Sequence, residues 1–191
     1  MATESRTEFE RTALPLPTGR WMVDGQGSEV RFRIRKLFWH PKGRFREVDG
    51  RLRVSEDGEF ELTASAPVAS LTTGIAPRDF HLRTRHFFDE KTFPTVKLEL
   101  RSAEPVGDDR LRLRGDLTIK GTTRPVELLG SAEEHGDHLH LHAEGRIDRH
   151  EYGVVAPAYV EMGGLLLGRE VELSLEARLG REPGRAADGR G

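Results

Sequence analysis

The sequence predicts an all-β fold: an antiparallel sandwich or closed barrel of about eight strands, with one short helix over its mouth or flank. Three observations predict it. From Trp21 to Leu179 apolar residues alternate with polar ones at period two, as in strands with one wet and one dry face. Turn residues recur about every 8–12 positions. One segment, Thr72 to Pro94, breaks the alternation and carries helix signals instead.

Taken in order, Val30, Phe32 and Ile34 alternate with Arg31, Arg33 and Arg35, a clean inside/outside strand. Gly43 and Phe45 lead to Leu52 and Val54, which share a face, and Glu56-Asp57-Gly58 marks a turn. Phe60, Leu62, Ala64, Ala66 and Val68 stay in register along the next strand. Val96, Leu98 and Leu100 define the strand after the interruption. Leu111, Leu113, Leu117 and Ile119 define the following one, with Gly115 between them predicting a bend or bulge. A tight turn at Gly121–Thr123 leads to Val126 and Leu128. After the turn at His135-Gly136-Asp137 come Leu139, Leu141, Ala143 and Ile147, and then Val171, Leu173, Leu175, Ala177 and Leu179.

In the interrupting segment Pro77 suits the first turn of a helix, where its missing N–H has no partner to lose. Asp79 suits the positive end of the helix dipole and is placed to pair with Arg83 at i+4. Phe80, Phe87 and Phe88 are expected on or near one apolar face, while Arg78, His81, Arg83, Arg85 and His86 stay polar. A single helical plug among strands points to a barrel.

Composition bounds the function. At 191 residues the chain is most simply one domain, long enough to bury a core or enclose a cavity. Residues 1–18 are expected to form a flexible leader, 19–180 the β-domain and 181–191 a disordered tail. Thirty basic residues against 32 acidic ones leave a net charge of -2, which argues against a nucleic-acid partner. With no cysteine there is no disulfide, thiolate ligand or cysteine nucleophile. The N-terminal residues lack an apolar signal region and no apolar run is long enough to span a bilayer. The expectation is a cytoplasmic protein without integral membrane contact, a homodimer being one option for its assembly.

Two clusters resemble catalytic or metal sites. His138, His140 and His142 share a strand face that Glu144 extends, which is ligand chemistry if a neighbouring strand helps. Alternation opposite Leu139 and Leu141 explains the same pattern, and no metal or other cofactor is expected. Arg78, Asp79 and His81 bring acid, base and cation within one helical turn, yet no nucleophile accompanies them. A capped helix held by ion pairs explains them equally. Phe38-Trp39 and Met162-Gly163-Gly164-Leu165-Leu166-Leu167 break alternation and fit either ordinary core or the rim of an apolar cavity.

The chain resembles the YceI-like family of polyisoprenoid-binding proteins. The likeness is carried by Trp21, Val23, Asp24, Ser28, Val30 and Phe32 with Gly43-Arg44-Phe45, and by Arg78, Asp79, His81 and Leu82 with Phe87-Phe88-Asp89 and Pro94. It continues through Gly115 to Val126 and closes on Gly145 to Arg149 with Tyr152 and Gly153. The resemblance implies an extended lipocalin-like antiparallel β-barrel around a long apolar tunnel. It implies binding, storage or transport of an isoprenoid-like or other long-chain amphiphilic lipid. Lys36-Leu37-Phe38-Trp39-His40-Pro41 stands where the family tends to carry a differently composed histidine-containing loop.

On this basis Phe32, Ile34, Leu98, Leu117 and Val171 are the expected tunnel lining, with Phe38, Trp39 and Phe87 nearer its mouth. Arg78 and His81 are the polar candidates for a head group. No catalytic residue is assigned. The alternative is an enzyme of isomerase or hydrolase type acting on an amphiphile in the same cavity.

Overall fold

The computed structural model describes residues 16–34, 41–107, 109–155 and 168–182. Phe38, Trp39 and the 162–167 stretch lie outside them. Eleven strands and one α-helix follow in the order β1 (Gly19–Val23), β2 (Glu29–Ile34), β3 (Lys42–Phe45), β4 (Asp49–Val54), β5 (Phe60–Pro67), β6 (Leu71–Thr72), α1 (Ala76–Arg83), β7 (Thr95–Pro105), β8 (Leu111–Ile119), β9 (Thr122–His135), β10 (His138–Asp148) and β11 (Glu170–Arg181).

Eight strands close a barrel in the order β1-β4-β5-β7-β8-β9-β10-β11, with β11 returning to β1, and every pairing is antiparallel. Of the two architectures that alternation allows, the barrel is the one formed, so those eight strands have no free edge. The remaining three, β2-β3-β6, extend the wall from β11. They exist because three wall strands are interrupted. β1 and β2 both pair with β11, Val23 opposite Leu179 and Val30 opposite Leu175, with the Asp24–Ser28 excursion between them. Ser28, 6% exposed, stitches that excursion to the wall, its hydroxyl accepting from the Arg178 N–H at 3.0 Å.

Both faces follow the alternation. Leu98 and Leu117 are register partners, as are Leu139 and Leu179 and also Val171 and Ile34. At Gly115 the chains approach so closely that a Cβ would sit 1.9 Å from the Glu99 carbonyl oxygen. The register shift expected there falls on the partner strand, between Leu100 and Ser102. Lys120 and Gly121, both at positive φ, make the two-residue β8–β9 hairpin.

The two ends of the barrel differ. At one, Trp21, Leu52, Leu111, Leu139 and Leu179 are each 0–1% exposed and form a solid floor. At the other, inward-facing Val30, Phe32, Leu141, Leu173 and Leu175 are only partly buried. These side chains point away from solvent along their strands, so their residual exposure is to the inside of the barrel. The interior is packed at the floor and hollow above it.

Tyr152 anchors the 3₁₀ turn Arg149–Tyr152 after β10 and is 1% exposed. Burial, with Glu151 adding to it, pushes its hydroxyl up to about 12. The folded state thus holds the neutral phenol more tightly than the unfolded chain does. That stability is intact below pH 10 and is lost as pH rises towards 12. Between pH 9 and 11, wild type should lose about 1 kcal/mol more unfolding free energy than Tyr152→Phe. Urea melts at the two pH values check this, and parallel losses in both proteins contradict it.

Candidate functional site: an apolar cavity beneath the helix

The hollow is a cavity of about 570 Å³, within the range that encloses a drug-sized ligand. Its walls are the inward positions of β2, β3, β5, β7, β8, β9, β10 and β11, and none of the floor residues Trp21, Leu52, Leu139 or Leu179 reaches it. Eight expected site residues line it: Phe32, Ile34, Arg78, His81, Phe87, Leu98, Leu117 and Val171. Phe38 and Trp39 fall outside the described residues. Sequence reasoning passed over Phe45, Phe88 and Leu82, which also line it, and the buried Arg149.

An aromatic cluster shapes the wall on the β2–β3 side. The Phe32 and Phe45 ring centroids lie 6.2 Å apart, and Phe45 meets Phe88 edge-on at 6.1 Å. Gly43 makes room for it: a Cβ there would come within 2.4 Å of the Phe32 ring. This is a physical reason for glycine in the Gly43-Arg44-Phe45 element, because the paired strands leave the ring nowhere else to lie.

Helix α1 lies at the hollow end and turns Pro77, Arg78, His81 and Leu82 towards the cavity. Its aromatic face differs from the expected one. Phe80 points outward and is 76% exposed, while Phe87 and Phe88 lie beyond the helix, which stops at Arg83. With only eight residues, α1 cannot carry both aromatic positions on one stripe. His81 and Phe87 still meet edge-to-face at 5.6 Å, so the loop after the helix completes the lining.

Asp79 does not pair with Arg83 either. Its carboxylate reaches back to the strand it follows: Oδ2 accepts from the Thr72 hydroxyl at 2.8 Å, and Oδ1 from the Thr73 N–H at 2.7 Å and the Thr73 hydroxyl. Arg83 donates instead to the Leu71 carbonyl at 3.1 Å. Arg78 Nε donates to the Thr73 hydroxyl oxygen at 2.7 Å, and the guanidinium donates again to the Thr73 carbonyl at 3.1 Å. Arg78, Thr73 and Asp79 form one clamp that fixes α1 over the cavity. Three short-range donors outweigh one surface ion pair, which explains the choice.

Burial alone would raise the Asp79 carboxyl, but the Thr73 and Thr72 hydrogen bonds and the Arg78 charge hold it below the ordinary carboxylate value. A depressed carboxylate stabilises the fold above its unfolded-state pKa, and that contribution is lost as pH falls through the folded-state value. Asp79→Asn should cost about 1–2 kcal/mol at pH 7, and the cost should shrink progressively as pH falls below the ordinary carboxylate range. Hydrogen exchange of the α1 amides reports the loss locally. A penalty that persists at low pH would assign Asp79 a packing role instead.

At the same end, buried Arg149 donates to the Val154 carbonyl at 2.7 Å and to the Gly168 carbonyl at 3.0 Å. Arg78, His81 and Arg149 thus gather near the cavity's mouth, and mainly apolar walls run inward to the floor, broken on the β2–β11 side by Glu29, His142 and Glu176. On β10, His140 is exposed while His138 and His142 are half-buried, and His142 also borders the cavity. A neighbouring strand does approach His142, whose Nδ1 is 2.8 Å from Glu176 on β11, while its Nε2 is 3.4 Å from Glu144. Among the described residues no group of three or more potential ligands is arranged to hold a metal ion. No described helix is long and apolar enough to cross a membrane.

Comparison with known proteins agrees with this architecture. The UPF0312 protein plu2095 of Photorhabdus laumondii is 31% identical over 119 residues, covering 59% of this chain and 62% of that protein. The chain therefore spans under two thirds of that relative's length. The crystal structure of BcnA from Burkholderia cenocepacia superposes with a TM-score of 0.74 at 19% identity, covering 82% of this chain and 98% of that one. A polyisoprenoid binding domain from Saccharophagus degradans gives a TM-score of 0.69 at 16% identity, covering 85% and 98%. At such identities these structures establish a shared fold. The model of the YceI-like domain matches residues 21–179, from the floor tryptophan to the last floor leucine, and the chain belongs to the YceI-like family.

Proposed function

We propose that this protein binds, stores or carries one long-chain amphiphile, isoprenoid-like or fatty, with its chain in the barrel and its head group at the α1 end, and does no chemistry on it. The observation that carries the reading is the cavity: about 570 Å³ of space walled by Val, Leu, Ile and Phe, with its cations at one end. An apolar chain gains about 0.8 kcal/mol per methylene removed from water, and such walls neither orient nor activate a reacting group. Family membership supports it, as does the likeness in fold to a domain described as polyisoprenoid binding. Phe32, Ile34, Leu98, Leu117 and Val171 contact the chain in this reading, Phe87 lies nearer the mouth, and Arg78 and His81 face the head group.

A series of single-chain fatty acids and prenyl alcohols tests it by calorimetry. Affinity should rise about fourfold per added methylene until the chain meets the floor, then level off. Affinity independent of chain length would exclude the reading. Within the series, Arg78→Ala should weaken the anionic acids more than neutral alcohols of equal length. Equal weakening of both, with a lower Tm, would leave Arg78 only its clamp. Mass spectrometry of the recovered ligands separates a carrier, which returns them intact, from an isomerase or hydrolase.

A further inference from the structure

We propose that the α1 end of the barrel is a docking surface for an anionic lipid bilayer, with Ile75 and Phe80 entering the interface and basic residues of β2 and β3 facing the head groups. The proposal rests on the lipid-binding reading for its purpose, but its evidence is separate. Of the five large apolar side chains exposed among the described residues, Ile75, Phe80 and Val155 belong to the hollow end, at 51%, 76% and 45% exposure. Ile75 is the N-cap just before the helix and Phe80 lies on its outer side, with exposed Ala76 and Pro77 between them in the chain. The inner side of the same helix lines the cavity. An apolar surface there gains nothing in water and costs solubility.

Charge selects the occupant. Arg31, Arg33, Lys42, Arg44 and Arg46 line an outer groove that also contains Thr72, Thr73 and Gly74, the residues leading directly into Ile75. Arg31 and Arg44 share Glu29 as a partner. Arg33, Lys42 and Arg46 make no ion pair among the described residues, although Glu172 is the register partner of Arg33 and Arg46 also borders a groove with Glu47 and Asp49. The acidic groups of that groove, Glu127, Glu144 and Glu172, lie on β9, β10 and β11, farther round the wall from α1 than β2 and β3. An apolar ridge flanked by basic side chains is the complement of an anionic bilayer surface. It also sits where a lipid tail leaving that bilayer would enter the cavity.

The test is flotation of the full chain with vesicles of phosphatidylcholine alone and of phosphatidylcholine with one quarter phosphatidylglycerol, at low and high salt. Binding should be confined to the anionic vesicles and weaken with salt. Phe80→Ser should lower it about tenfold. Changing Arg33, Lys42 and Arg46 together to Gln should lower it about a hundredfold. All four residues are exposed, Lys42 also bordering the cavity, so unchanged thermal melts and unchanged fatty-acid binding will confirm that the variants keep their fold and cavity. Fatty-acid binding in vesicle-free solution is measured alongside. A chain that binds fatty acid normally but ignores anionic vesicles overturns the docking surface and leaves the lipid-binding reading standing. A chain that docks but binds no fatty acid overturns that reading alone. If sedimentation shows a dimer that Phe80→Ser converts to monomer, without vesicle binding, the ridge is covered by a second copy and the proposal fails.

Discussion

Replacing Trp21 with alanine is expected to cost about 3–5 kcal/mol, a large share of the 5–15 kcal/mol typical of a folded domain. Trp21 is the largest of the fully buried side chains, and it fills the floor together with Leu52, Leu139 and Leu179. It also ties the ends of the chain together: β1 pairs Trp21 with Arg181 on β11 and with Leu52 on β4. The Arg181 guanidinium lies 4.6 Å from the indole centroid and adds a partly screened cation–π contact. For a chain of this size, Tm should fall by roughly 6–20 °C. Trp21→Phe should cost much less, because the indole N–H is buried without a hydrogen-bond partner and nothing polar is lost with it. Urea denaturation of the three proteins decides the matter. A loss below about 1 kcal/mol for the alanine variant would mean that the floor is not packed and the barrel is open at both ends.

The architecture was legible because period-two alternation survives wherever one strand face is dry. Val30, Phe32 and Ile34 or Leu139, Leu141 and Ala143 place their faces from spacing alone, and each turns inward as spacing requires. What alternation cannot encode is how dry the inside is. Leu139, at 0% exposure, and Leu141, half-buried, look identical in sequence, yet one belongs to the solid floor and the other to the cavity wall. The difference arises from how many other side chains reach the same depth, a property of the closed ring. The extra strands were hidden for a related reason. Asp24–Ser28 looks like a turn between strands, whereas its ends both pair with the same long β11.

The helix was legible as an element but not in its orientation. Pro77 and Asp79 set its start, as expected. Its partners came from tertiary contact: two threonines at the end of β6 offer Asp79 better donors than Arg83 does, and Phe80 is left outside. Arg149 belonged to a segment of the family likeness, but nothing in its spacing marked it as buried, since an arginine after a strand is normally a surface residue. Its burial depends on carbonyls at Val154 and Gly168 that only the folded turn brings near.

Filling the cavity from within should remove binding without removing the fold. Ala177 sits on β11 between floor Leu179 and wall Leu175, lines the cavity and is only partly buried. In the Ala177→Trp protein the indole would occupy the deepest space above the floor, where a bound chain is expected to end. Overpacking a filled core costs about 1–3 kcal/mol, but here the added atoms enter empty space, so Tm should hold or rise slightly. Binding should change in a length-dependent way. Displacing two or three methylenes of a long chain costs about 2 kcal/mol, roughly a thirtyfold loss. A chain too short to reach Ala177 should bind as before. The plateau in affinity against chain length should therefore move to shorter chains, whereas Trp21→Ala, by hollowing the floor, should move it to longer ones. Opposite shifts from two residues on adjacent strands would locate the closed end of the tunnel. Equal weakening of short and long chains by Ala177→Trp would instead mean that ligands bind outside this cavity.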